Sequence, residues 1–269
     1  ITRSYTDKRV EGDIIHRGPV TEIVPLGYDA DGFEKKQGVT VEGRVKDQYS
    51  LDQHKGILRV VTTTETAAYR EEKKDSGFIM REYVDRGESN AALWCIDLET
   101  MKVVASVEDF APDGETVQSV RFDGDYAYVC TAVVITFSDP VFFFDLSDYS
   151  NITYTDTGVI DGFSSSLINL GEGFLLGIGQ EDWRTNKVEV YEEGAGAVNS
   201  VDVFKFIGEY SRDYKDYLVN REENLFGFEM AYDNQYGHSY VLLQFDGYKL
   251  NVISVTELDG KHSGYTYAF

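Results

Sequence analysis

Apolar residues in this chain come in short runs of four to eight, rich in Val, Ile, Tyr and Phe and bounded by Gly, Asp, Asn or Ser. Leu93-Trp94-Cys95-Ile96, Tyr128-Val129-Cys130-Thr131 and Val141-Phe142-Phe143-Phe144 are typical. Helical spacing of apolar positions is nearly absent. Runs of this length between turn residues predict strands. Pro is scarce (4) and Gly plentiful (25), a balance that favours tight hairpins over stiff linkers. The pattern predicts an all-β, antiparallel chain.

The runs recur. Four segments share an apolar start, a polar turn with Gly or Asn, and an apolar strand: Tyr49–Val60, Val120–Val129, Leu167–Leu176 and Tyr217–Phe226. Between Ile57, Tyr126, Phe174 and Leu225 the steps are 69, 48 and 51 residues. A second strand type ends in Asp and a turn, at Trp94-Cys95-Ile96-Asp97-Leu98 and Phe143-Phe144-Asp145-Leu146, with the two Asp 48 residues apart. Leu243-Gln244-Phe245-Asp246-Gly247 has the same look, one unit after a degenerate copy near Val203-Phe204. A repeat near 50 residues built from about four strands marks a β-propeller, whose blades bury both faces only by stacking on one another. The long first step is explained by Glu65–Asn90, a charged stretch expected to be an inter-strand loop or an extended hairpin.

This divides the chain into an N-terminal segment with partial blade strands (1–46, strands from Val20 to Val45) and propeller blades (47–269). The blades run approximately over 47–110, 111–160, 161–210 and 211–260, with a terminal strand at 264–269. About four to five four-stranded blades are expected, in an incomplete, truncated or unusually small ring. The two ends would complete one composite blade or leave an open side, and an open edge would favour a dimer.

The repeat units carry a more specific likeness. Tyr49-Ser50-Leu51-Asp52 through Leu58-Arg59-Val60-Val61-Thr62-Thr63, Ser119–Tyr128, Asp139–Asp148, and Gly162-Phe163-Ser164 followed by Leu175–Gln180 are the segments concerned. They resemble a family of bacterial secreted proteins with a C-terminal β-propeller domain, distantly related to WD-repeat propellers. The likeness runs in order from about Val41 to Leu258. Two departures stand out. The family often has a His after Phe163-Ser164, where this chain has Ser165-Ser166-Leu167-Ile168-Asn169, and Val188–Asn199 is acidic and Gly-rich where a regular strand is usual. The resemblance implies a fold and an extracellular or cell-envelope setting, but no activity.

Composition narrows the partners. The 269 residues hold 47 Asp+Glu against 25 Lys+Arg, a formal net charge of −22. With 42% hydrophobic and 14% aromatic residues the chain is too apolar to be disordered. Phosphate backbones and anionic lipids are bound by clustered Lys and Arg, so nucleic acid and membrane docking are disfavoured. No apolar run approaches the ~20 residues of a membrane-spanning helix. The sequence begins at Ile1 rather than Met, so any leader or anchor is expected outside this segment.

Candidate chemistry is sparse. Cys95 and Cys130, each in an apolar run, read as buried thiols, with a disulfide as the alternative and zinc disfavoured for lack of a Cys-x-x-Cys. Gly162-Phe163-Ser164-Ser165-Ser166 lacks the last Gly of a nucleophile elbow and the helix that should follow it. Gly171-Glu172-Gly173 and Gly177-Ile178-Gly179 have Leu176 and Asp182 where a phosphate-binding loop has its third Gly. His16, His54, His238 and His262 are dispersed. Asp29-Ala30-Asp31-Gly32-Phe33-Glu34 places carboxylates around a Gly turn, so Asp29, Asp31 and Glu34 are calcium candidates, against a plain hairpin turn. Trp183 in Gln180–Asn186, with Tyr232 and Tyr236 in Ala231–Gly237, are loop aromatics able to form a recognition surface. The expectation is a non-catalytic extracytoplasmic binding or scaffold module for a protein or glycan. The alternative is an enzyme or calcium-dependent binder using the axial funnel.

Overall fold

The computed structural model describes residues 1–30, 32–133, 138–194, 197–231 and 238–258. Among them the secondary structure is antiparallel β with two short 3₁₀ turns and no α-helix. The chain divides into two compact units. One comprises Ile1–Ala127, Thr131–Val134 and Asp145–Thr153, the other Tyr128–Cys130, Ile135–Phe144 and Tyr154–Phe269.

Strands β1 (Thr2–Glu11) and β2 (Ile14–Ile23) pair along their whole length, from Thr2↔Ile23 to Glu11↔Ile14. Strand structure therefore starts well before the Val20 expected from the sequence. Every residue of β1 is exposed, so the strand carries no apolar alternation to read. A small hairpin, β3 (Leu26–Asp29) with β4 (Gly32–Lys35), precedes β5 (Val39–Glu42), which pairs with β2.

A 3₁₀ turn at Gln48–Ser50, capped by Asp47 accepting from the Tyr49 amide at 2.9 Å, leads into the hairpin β6 (Leu51–His54) and β7 (Ile57–Thr64). The charged stretch then forms an extended hairpin, β8 (Ala67–Lys73) and β9 (Ile79–Asp85), which joins the first sheet through β2 in the order β1-β2-β8-β9. The chain returns as β10 (Asn90–Asp97) and β11 (Lys102–Val107), completing a four-stranded sheet β11-β10-β7-β6. β10 is buried from Asn90 to Ile96, the environment its continuous apolar run predicts.

Three sheets follow. The first holds β12 (Thr116–Asp123), β13 (Tyr126–Ala132), β14 (Ser138–Asp145) and β15 (Thr153–Asp161) in chain order. The next holds β16 (Phe163–Gly171), β17 (Phe174–Gln180), β18 (Thr185–Gly194) and β19 (Ala197–Ile207), also in chain order. The last contains β20 (Glu209–Tyr210), β21 (Leu218–Asn220), β22 (Leu225–Ala231), β23 (His238–Phe245) and β24 (Leu250–Leu258). Its order is β20-β22-β23-β24, with β21 also on β22.

The fold is an antiparallel β-propeller whose described sheets have four or five strands, with β3–β4 as a separate two-stranded hairpin. The four repeat segments are the hairpins β6–β7, β12–β13, β16–β17 and β21–β22, and the Asp-ended strands are β10, β14 and β23. Two details differ from the sequence reading. Val203-Phe204 lies on β19, the fourth strand of its sheet, so it is not a copy of the Asp-ended third strand. Val188–Asn199 runs through β18 and β19, which are ladder-paired from Thr185↔Ile207 to Gly194↔Ala197 with one bulge at Val190/Tyr191. The segment departs from a regular strand in sequence because charged residues are ordinarily solvated, whereas its Glu189 is buried and paired with Lys187 just before it. The terminal strand expected at 264–269 lies outside the described residues.

Each unit has its own core. Val41, Val60, Ala92, Trp94 and Ile96 are at the centre of one cluster, in the first unit. Ile178, Val188, Val190, Phe226, Phe228 and Val241 are at the centre of another, in the second. Full burial of such a side chain contributes about 1.5–3 kcal/mol. In the first unit the fully buried Arg59 donates to the Gly124 carbonyl at 2.6 Å and to the Asp52 carboxylate, with its guanidinium 4.8 Å from the centre of the Phe122 ring. A buried charge is tolerated there because every side of it is answered. Cys95 and Cys130 are free, buried thiols.

Candidate binding site at the Trp183 loop

The turn from β17 to β18 spans Glu181–Arg184 and is held by its own side chains. Asp182 Oδ1 accepts from the Arg184 and Thr185 amides, each at 2.7 Å, and the Glu181 amide donates to the Thr185 carbonyl at 2.8 Å. Those amides, Arg184 first, hold the Asp182 carboxyl below its ordinary value. Lys205 on β19 pairs with Glu181 and braces the turn from the side. A loop fixed this way can project a large side chain. Trp183 stands 69% exposed, with the Arg184 guanidinium 3.9 Å from the centre of its ring.

The opposite wall is the corner from β19 to β20. Gly208 takes φ +131°, a conformation that favours glycine, and its carbonyl accepts from the side chain of buried Asn186. Beyond it Tyr210 hydrogen-bonds Ser165 at 3.0 Å, and Arg212 lies 5.9 Å from the centre of the Tyr210 ring while donating to Gln180 Oε1 at 3.1 Å. Burial foremost raises the Tyr210 phenol, against the hydrogen bond from Ser165 and the nearby Arg212, so it stays protonated at neutral pH. Between the walls is a cavity of about 420 Å³, lined by Gln180, Trp183, Arg184, Asn186, Glu209, Tyr210 and Arg212. That volume is within the usual range of ligand pockets, roughly 300–1,000 Å³. Among the described residues neither Arg184 nor Arg212 is in a salt bridge.

Of the residues singled out from sequence, Trp183 lies at this cavity. Tyr232 and Tyr236 lie outside the described residues. So does Asp31; Asp29 is on β3 opposite Gly32, and Glu34 is exposed on β4 opposite Gly27. Among the described residues no three His, Cys, Asp or Glu side chains cluster as metal ligands. Ser164 and Ser165 serve packing on β16: one hydrogen-bonds Tyr191 at 3.1 Å, the other donates to the Ile178 carbonyl at 3.0 Å. His54 pairs with Asp125 at 3.0 Å and His238 with Glu229 at 2.6 Å, far apart in sequence and in separate units. Sequence reasoning missed Arg184, Tyr210 and Arg212. Their one signal was basic residues beside aromatics in a chain with few bases.

The fold is an all-β propeller, and aromatic, amide and guanidinium groups line the cavity on its second unit. The family model for the beta propeller domain matches residues 7–261, and the chain belongs to that family. Two relatives are archaeal. An uncharacterized protein of Archaeoglobus fulgidus is 29% identical over 229 residues, covering 84% of this chain and 31% of that protein. An uncharacterized protein of Methanocaldococcus jannaschii is 26% identical over 248 residues, covering 89% and 36%. The chain spans about a third of the length of these relatives. Neither carries the bacterial setting that the resemblance implied. Among solved structures, a candidate 6-phosphogluconolactonase of Bacteroides uniformis superposes with a TM-score of 0.48 at 9% identity, over 92% of this chain and 69% of that one.

Proposed function

We propose that this propeller is a non-catalytic binding module that works outside the cytoplasm, at the cell envelope or beyond it, and recognises a glycan or protein partner at the Trp183 loop. The observation that supports the reading is the braced turn that holds Trp183 outward beside the cavity. Tryptophan is enriched among the few residues that dominate binding energy at interfaces. The setting rests on the resemblance to secreted proteins.

The test is a defined array of glycans and envelope proteins probed with the full chain and with Trp183→Ala. The variant should melt within a degree or two of the parent, because the ring is mostly exposed, yet lose most of the array signal. Unchanged binding by the variant, or turnover of a bound ligand by the parent, would overturn the reading.

A further inference from the structure

If the propeller is a binding module, the lining of the cavity beside Trp183 narrows the chemistry of its ligand. The charged residues there are Arg184, Arg212 and Glu209, a formal sum of +1 within a chain of −22. Two guanidiniums outside any salt bridge among the described residues stand at one mouth, each over an aromatic ring, at 3.9 Å (Arg184 on Trp183) and 5.9 Å (Arg212 on Tyr210). Contact with the indole positions Arg184, and Gln180 and Tyr210 position Arg212; the guanidinium N–H groups left over can donate to a carboxylate, which guanidiniums recognise through parallel hydrogen bonds.

The rest of the lining suits a ring bearing hydroxyls. Asn186 is buried and oriented by the Gly208 carbonyl, Gln180 accepts from Arg212 through Oε1 and keeps its amide N–H groups to donate, and Glu209 is exposed and accepts. The open part of the Trp183 indole offers an apolar plane for a C–H face. Glu209 also limits the charge that fits. One carboxylate inside the cavity balances the +1 lining, with any further acidic residues of an oligosaccharide left outside it in solvent, whereas a phosphate dianion would leave excess negative charge beside Glu209.

We propose that this cavity binds an acidic saccharide: a sugar ring whose carboxylate is held by Arg212 and Arg184, whose face rests on Trp183, and whose hydroxyls meet Asn186, Gln180 and Glu209. The proposal rests on the binding-module reading. Binding needs no metal and no covalent step.

The experiment is calorimetric titration of the full chain with trigalacturonate, its methyl ester, maltotriose and inorganic phosphate, for the parent, Arg212→Gln, Arg212→Lys, Arg184→Gln and Trp183→Ala. Both arginines are exposed, so matched melting temperatures will separate lost contacts from lost folding. Trigalacturonate should bind the parent, with affinity falling at least tenfold in Arg212→Gln or on esterification and less in Arg212→Lys, which keeps the charge but not the fork. Maltotriose and phosphate should bind at least tenfold more weakly than trigalacturonate. Equal binding of the ester or maltotriose, phosphate competing on equal terms, or no binding of trigalacturonate would each overturn the proposal. If it fails while Trp183→Ala still abolishes the array signal, the acidic-saccharide assignment falls and the module reading stands.

Discussion

A polar ladder crosses the interior of the second unit on β18. Lys187 Nζ lies 2.6 Å from Glu189 Oε2, the Tyr191 hydroxyl donates to the same oxygen at 2.9 Å, and Ser164 meets that hydroxyl at 3.1 Å. All four residues are buried. Removing one member of a buried ion pair strands the other charge and typically costs about 3–5 kcal/mol. Lys187→Met should therefore lower the urea midpoint steeply, while Lys187→Met combined with Glu189→Leu recovers part of the loss. An unchanged midpoint in the single variant would show that the pair holds nothing. The same burial sets an alkaline limit. Desolvation, with the Glu189 charge second, lifts the Tyr191 phenol well above 10.0, and desolvation pushes the Cys95 thiol from 9.0 up to about 12. The folded state keeps both protons while the unfolded chain releases them. Stability is thus full below about pH 9 and falls as pH rises towards 12, by about 4 kcal/mol for the thiol alone. Reversible melts from pH 8 to 11 in reducing buffer should show the decline, and Cys95→Ala should blunt it. Trp183 was legible in the sequence because an aromatic in a polar loop stands out. Lys187 and Glu189 were not, since charged residues are ordinarily solvated, and only the pairing across β18 shows them inside.

At the scale of elements, apolar runs reveal strands buried on a face, and β10, β17 and β22 were all readable this way. β1 was not, because pairing with β2 is carried by backbone hydrogen bonds that leave no mark in side-chain pattern. The pocket was hidden for a related reason. Its two walls are a hairpin turn and a strand-to-strand corner some 25 residues apart in sequence, and nothing local says they meet. Gly162 shows how tightly that meeting is set. It joins β15 to β16 at φ +83°, and a Cβ there would collide with the backbone of Gln180 and Glu181, where the Trp183 turn begins. Neither atom is a side-chain tip that could swing aside. Gly162→Ala should cost about 2 kcal/mol or more, and because the strain falls on the β17–β18 turn, ligand affinity should drop beyond what the lower melting temperature explains. A parent-like melt and affinity would mean that the backbone accommodates the methyl group freely. Here the sequence reading of Gly162-Phe163-Ser164 as something other than a nucleophile elbow gains a physical content: the glycine is there for close approach.

Over the whole molecule the charge of −22 sets two opposing pH effects. Lowering pH from 7 neutralises carboxylates and relieves self-repulsion, which favours the folded state. Against this, exposed turn carboxylates are held below their ordinary value of 3.8 by hydrogen bonds: Asp97 first by the Thr100 side chain, Asp148 by Ser150, Asp246 by Asn251. Their folded values are depressed, so what they contribute is present above about pH 4 and lost as pH falls through those lower values. Stability should therefore rise from pH 7 to a maximum near pH 5 and fall steeply below pH 4. Salt acts on the first effect far more than on the second, because at 1 M the screening length is only about 3 Å, comparable to a hydrogen bond but far shorter than the distances over which surface charges repel. Raising NaCl from 20 mM to 0.5 M at pH 7 should thus increase the melting temperature, and at pH 5 the same addition should do much less. A melting temperature that is flat in salt at pH 7 would mean that the acidic residues are spaced widely enough not to oppose folding, and the charge would then have to be explained by what the surface excludes. The proposed cavity would still need its local +1, since at low salt a net negative surface repels a carboxylate approaching Arg212 and Arg184.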